Sequence, residues 1–213
     1  MEEINQEQVW NNISKTWVRF RINSLEEVQE FLKDKTGKIL DAGCGSGRNF
    51  QKTKGKIYGI DFSEKMLKQA GKTAKKDNLN VILSKQDIEK LDFPDAYFDS
   101  AICIAVIHTI KGKEKRENIL KELYRVLKPK TKIMITIWNK GFKNEKLDKI
   151  KKEGYFDWKA DDKTHKRYAY FYNKDEISEL LEKTGFKITK ILADPKSLTK
   201  FSKKNIIIYA KKP

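Results

Sequence analysis

Three alternating glycines, Gly43, Gly45 and Gly47, separate an apolar run that ends near Asp41 from a second that ends on Asp61. A strand entering such a loop turns sharply, and the missing Cβ atoms let the backbone approach a ligand that any side chain would exclude. Asp61, at the tip of the second strand, is placed to accept hydrogen bonds from both hydroxyls of a ribose. The pattern predicts a nucleoside-containing cofactor beyond the carboxyl ends of a parallel sheet.

The spacing decides between cofactors. A dinucleotide loop needs G-x-G-x-x-G, whereas here it is G-x-G-x-G, with Arg48 where the last glycine would fall. Asp41 would repel a pyrophosphate and attract an ammonium group. S-adenosylmethionine has a ribose, a sulfonium, an amino group and no phosphate, and fits these residues better.

Leu40-Asp41-Ala42-Gly43-Cys44-Gly45-Ser46-Gly47, Gly59-Ile60-Asp61-Phe62-Ser63, Gln86-Asp87-Ile88, Phe98-Asp99 and Leu127-Lys128-Pro129 follow one another along the chain. In this order they resemble the motifs of class I, seven-strand methyltransferases. The resemblance covers nearly the whole chain. It implies an α/β, doubly wound, Rossmann-like sheet with an antiparallel last strand, forming a single domain over 1–213. It also implies a cofactor-binding set of Asp41, Gly43, Cys44, Gly45, Gly47, Asp61, Phe62, Met66, Asp87, Ile88 and Ile104.

A chain of 213 residues can bury a core unaided. No long apolar run or signal-like start is present, so neither a membrane span nor secretion is expected, and a reducing cytoplasm is. Cys44 and Cys103 lack metal-ligand or redox spacing. Lysine and arginine total 46 against 30 acids, a formal charge of +16. That excess suits a polyanion such as nucleic acid, or simply a lysine-rich proteome.

Periodicity predicts an N-terminal helical segment over 7–33, within a 1–35 unit, with Ser24 as an N-cap. Strands are expected at Lys38–Asp41, Ile57–Asp61, Val81–Leu83, Ala101–Val106 and Lys132–Trp138. The glycine loop is expected to open a short helix, and Ser63 to cap the next one. Glu114–Leu127 reads as a helix, and another runs from Asn173 to Gly185. Phe186–Leu192 and Asn205–Ala210 close the sheet. Residues 139–172 show no strong period and are taken as a substrate-side insert.

That insert interleaves Tyr155, Phe156, Trp158, Tyr168, Tyr170, Phe171 and Tyr172 with Lys159, Lys163, His165, Lys166 and Arg167. Rings that stack and cations that meet phosphates are what single-stranded RNA readers combine, although some of these rings must form a small core. Ala101 through His108, Arg116, and Leu120 through Leu127 resemble the tRNA wobble-uridine methyltransferases that esterify 5-carboxymethyluridine, and their archaeal relatives. Val9-Trp10 to Phe31-Leu32, Ile137-Trp138 and Arg167-Tyr168 with Phe171 extend that likeness. It implies a substrate-side set of His108, Trp138, Arg167 and either Arg19 or Arg21. It implies tRNA, through its anticodon loop, as partner, and a small zinc-binding activator protein that covers an apolar sheet edge. Ile206, Ile207 and Ile208 are candidates for that edge, or else form a buried strand. Two other readings share the cofactor motifs: a small-molecule methyltransferase acting on quinone precursors, and a non-catalytic RNA-binding member of the fold.

Overall fold

The computed structural model describes residues 4–20, 23–139, 152–194, 196, 198, 199 and 202–213. In chain order its elements are α1 (Gln6–Phe20), α2 (Glu26–Leu32), β1 (Lys38–Ala42), β2 (Lys56–Asp61), α3 (Glu64–Lys76), β3 (Val81–Lys85) and β4 (Ser100–Ile104). After a one-turn 3-10 segment, Ile107–Thr109, come α4 (Lys113–Val126), β5 (Lys132–Trp138), β6 (Glu153–Ala160), β7 (Lys163–Tyr170), α5 (Lys174–Lys183), β8 (Lys187–Leu192) and β9 (Asn205–Lys211).

Seven strands pair in the order β3-β2-β1-β4-β5-β9-β8. The neighbours from β3 to β5 are parallel, and β9 runs antiparallel to both β5 and β8. The strand order reverses between β1 and β4, which opens a crevice at their carboxyl ends. All of β4 is buried, as a strand covered on both faces must be. Alternate residues feed two cores: Leu40, Ala101, Cys103 and Ile135 pack on one face, and Ile39, Ile102, Ile104 and Met134 on the other. Ile206, Ile207 and Ile208 lie fully buried in β9 between two strands, so they form no exposed edge.

Four expectations are corrected. The N-terminal segment is two helices, and α2 is entered at Leu25; the Ser24 hydroxyl bonds Asn49 instead of capping. The glycine loop opens no helix, because Gly43, Gly45 and Gly47 all have positive φ, which an α-helix cannot absorb. It runs through successive turns, Gly47 N–H to Cys44 C=O at 3.0 Å and Phe50 N–H to Gly47 C=O at 3.0 Å. The fourth strand ends at Ile104, not Val106, because Ala105 turns left-handed at φ 61°. The insert is not aperiodic: β6 and β7 form an antiparallel hairpin. Its two-residue turn, Asp161 at φ 48° and Asp162 at φ 59°, is the primed type that matches strand twist.

Candidate functional site

The loop after β1 is fixed by its neighbour strand. Gly43 N–H and Cys44 N–H both donate to the Ile60 carbonyl, at 2.8 and 2.9 Å. Gly45 N–H donates to one oxygen of Asp61 and Ser63 N–H to the other, each at 2.8 Å. Asp61 is thereby aimed while each oxygen keeps a further lone pair for a ligand hydroxyl. A Cβ at Gly43 would collide with Val106, whereas one at Gly45 would meet nothing within 4 Å. Gly45 therefore borders open space.

That space is a cavity of about 480 Å³. Gly43, Cys44, Gly45, Asp61, Phe62, Met66, Asp87, Ile88 and Ile104 line it, together with Arg48, Thr109, Lys111 and Lys115. Asp41 and Gly47 are not among the lining residues. Asp41 is buried under the loop, and neither of its oxygens accepts a hydrogen bond of regular geometry. Burial pushes its carboxyl up to about 7, with Arg48 and Asn49 pulling the other way and Asp61 adding to the rise. Burial likewise raises Asp61 to about 6, against the two backbone N–H groups. A buried acid beneath the loop, a second acid facing the cavity and a glycine cradle suit a ligand with an ammonium end and a ribose.

Helix α1 roofs this cavity. Ile4, Asn5, Gln6, Trp10 and Trp17 line it. Asn11 accepts from the Ser63 hydroxyl at 2.9 Å and from Lys65 N–H at 3.1 Å, which ties α1 to the start of α3. The Gln6 amide bonds both the Lys166 carbonyl and Tyr168 N–H, which ties it to β7. Between α1 and the hairpin, the Arg167 guanidinium lies 4.9 Å from the Trp158 ring, 5.0 Å from Trp17 and 5.7 Å from Trp10. Arg167 is buried, and its guanidinium lies against three indole rings.

The other expected substrate-side residues are scattered. His108 is buried and stacks on Trp138 at 4.8 Å, and Trp138 also stacks on Phe171 at 5.7 Å. Neither His108 nor Trp138 lines the cavity; both pack the base of the hairpin against the sheet. Arg19 is exposed at the end of α1, and Arg21 lies outside the described residues. The tryptophans that do line the cavity, Trp10 and Trp17, show in the sequence only as apolar helix positions. Both cysteines are free and buried, and burial raises their thiols, so neither offers a nucleophile.

Comparison with known proteins agrees with this geometry. The family described as a methyltransferase domain matches residues 40–135. A protein of Encephalitozoon cuniculi described as a methyltransferase is 30% identical, over 70% of this chain and 70% of its own. The chain thus belongs to the class I methyltransferases, whose cofactor is S-adenosylmethionine. The mouse "Probable tRNA methyltransferase 9B" is 30% identical over 70% of this chain, and an Arabidopsis thaliana tRNA (carboxymethyluridine(34)-5-O)-methyltransferase is 32% identical over 47%. The chain spans only 33% and 24% of these two relatives' lengths. A ubiquinone biosynthesis O-methyltransferase of Coxiella burnetii is 26% identical over 85% of this chain and 78% of its own. Among solved structures, a Methanosarcina mazei methyltransferase shares the fold at TM-score 0.68 and 24% identity, covering 89% of this chain and 98% of its own. A Haloferax volcanii methyltransferase in complex with the Trm112 activator gives 0.68 at 13% identity, with 100% of both chains covered.

Proposed function

We propose that this protein is a tRNA methyltransferase that esterifies the carboxylate of 5-carboxymethyluridine at the wobble position. The observation that carries the reading is the packing of the β6–β7 hairpin on α1, which sets Arg167 against two indoles that line the cofactor cavity. Relatives named for tRNA modification and the formal charge of +16 support it.

S-adenosylmethionine supplies the methyl group as an electrophile, and transfer is an in-line displacement governed by positioning. A carboxylate acceptor is already ionised near neutral pH, so it needs cations and a platform rather than a base. In this reading Asp61 holds the ribose, and Asp87 and Ile88 border the adenine. Phe62, Met66, Cys44 and Ile104 are its apolar walls. Asp41, beneath Gly43 and Gly45, balances the ammonium. Gly47 shapes the loop. Arg167 supplies the positive charge behind the indole wall, and Arg19, or Arg21, meets a neighbouring phosphate. His108 and Trp138 hold the hairpin in place. The reading puts the enzyme in the cytoplasm with tRNA, and the Haloferax complex supports a small activator protein as a partner.

The longer alignment to the ubiquinone enzyme favours a phenolic acceptor as the second reading. The test is incubation with labelled S-adenosylmethionine and tRNA carrying carboxymethyluridine, followed by nucleoside mass spectrometry. An alkali-labile methyl ester is expected. Methyl on a ring or ribose, or only on an added phenol, contradicts the reading.

A further inference from the structure

Among the described residues, Phe20 is the most exposed large apolar side chain, at 71%. It ends α1, and its ring meets Trp158 at 5.4 Å and 89°. Trp158 is held by its indole N–H, which donates to the Thr16 hydroxyl at 2.9 Å. Its ring lies 4.9 Å from Trp17, which lies 5.0 Å from Trp10. Trp17 and Trp10 line the cofactor cavity, so a row of touching rings runs from the surface to the methyl donor's site.

Cations accompany that row, on α1 beside Phe20 and on the hairpin face that carries Trp158. Arg19 precedes Phe20, and Lys15 is exposed one turn earlier on α1. On the hairpin, His165 is the register partner of Trp158 and Lys163 that of Ala160, so both share the face of the indole. Asp161 and Asp162 occupy the turn beyond Lys163, and Asp157, the neighbour of Trp158 in β6, points to the opposite face of the hairpin and pairs in register with Lys166. An exposed ring beside cations is what an unpaired nucleotide engages, its base by stacking and its phosphate by charge.

We infer that Phe20, backed by Trp158, is a stacking subsite for an unpaired nucleobase that flanks the acceptor in single-stranded RNA, with Arg19 and Lys163 on the adjoining phosphates. The inference rests on the RNA reading above. It adds a recognition residue outside the reacting centre, so binding at Phe20 is separable from chemistry.

The test is anisotropy of a labelled anticodon stem-loop RNA over a salt series, with calorimetry of S-adenosylhomocysteine as control. Phe20→Ala is expected to weaken RNA binding roughly tenfold, with unchanged cofactor affinity and salt slope. Phe20→Trp is expected to retain binding. Arg19→Ala with Lys163→Ala is expected to lower the salt slope. Unchanged RNA affinity in Phe20→Ala overturns the subsite. So does a variant that alters self-association by sedimentation while RNA binding stays intact, which would assign Phe20 to a protein contact. If the wild type itself neither binds the stem-loop nor methylates tRNA, the substrate reading falls; if it does both and Phe20→Ala matches it, only the subsite falls.

Discussion

Asp41→Asn should make the free protein more stable and the cofactor complex weaker, two effects of opposite sign from one atom change. The Asp41 carboxyl is raised from 3.8 to about 7, chiefly by burial. Between about pH 4 and pH 7 the folded chain keeps a proton that the unfolded chain has released. Stability therefore falls as pH rises through that window, and the full cost stands above pH 7. Three pH units correspond to roughly 4 kcal/mol as an upper figure, since each unit is about 1.4 kcal/mol. Asn keeps the shape without the charge, so urea unfolding at pH 8 should show a gain of about 2–4 kcal/mol, shrinking toward zero at pH 4. Calorimetry should show S-adenosylmethionine bound at least roughly tenfold more weakly, because its ammonium loses a buried counter-charge. Equal stability change at both pH values, or undiminished cofactor affinity, would refute the assignment of Asp41 to the ammonium end.

Three further outcomes follow from the geometry. Gly45→Ala places a methyl in open cavity space at φ 54°, so cofactor affinity should fall at least roughly tenfold by calorimetry while the fold loses only about 1 kcal/mol. Asp162→Gly relieves a left-handed residue in the hairpin turn and should raise stability by about 1 kcal/mol in thermal melts; no gain would mean the turn is not of the primed type. Arg167→Met keeps bulk among the three indoles and removes the charge, so tRNA methylation should fall roughly 10- to 100-fold with cofactor binding unchanged; equal loss of both would move Arg167 out of the substrate side.

The glycine loop and the acid that faces it were legible because they are local. A glycine loop and an acid at a strand end sit within a short stretch, and the strand pattern alone brings Gly45 N–H to Asp61. The wall made by α1 and the hairpin was not, because it depends on two elements far apart in sequence. Nothing local says that Trp10 and Trp17 on α1 will meet Trp158 and Arg167 on a hairpin more than a hundred residues on. The hairpin carried only a partial signal: Phe156, Trp158 and Ala160 alternate with Asp157 and Lys159 ahead of Asp161-Asp162, β7 shows no such alternation, and aspartates stand where Asn-Gly would be commoner. A histidine and an indole at strand ends suit ligand binding and ring packing equally, and here His108 and Trp138 stack on each other.

A crystal structure with S-adenosylhomocysteine tests the central claim most directly. The account predicts the ribose hydroxyls on the Asp61 carboxylate, the adenine beside Asp87 and Ile88, and the amino end over the loop that covers Asp41. A nucleoside bound elsewhere, or a cavity filled by α1 side chains at saturating ligand, would contradict it.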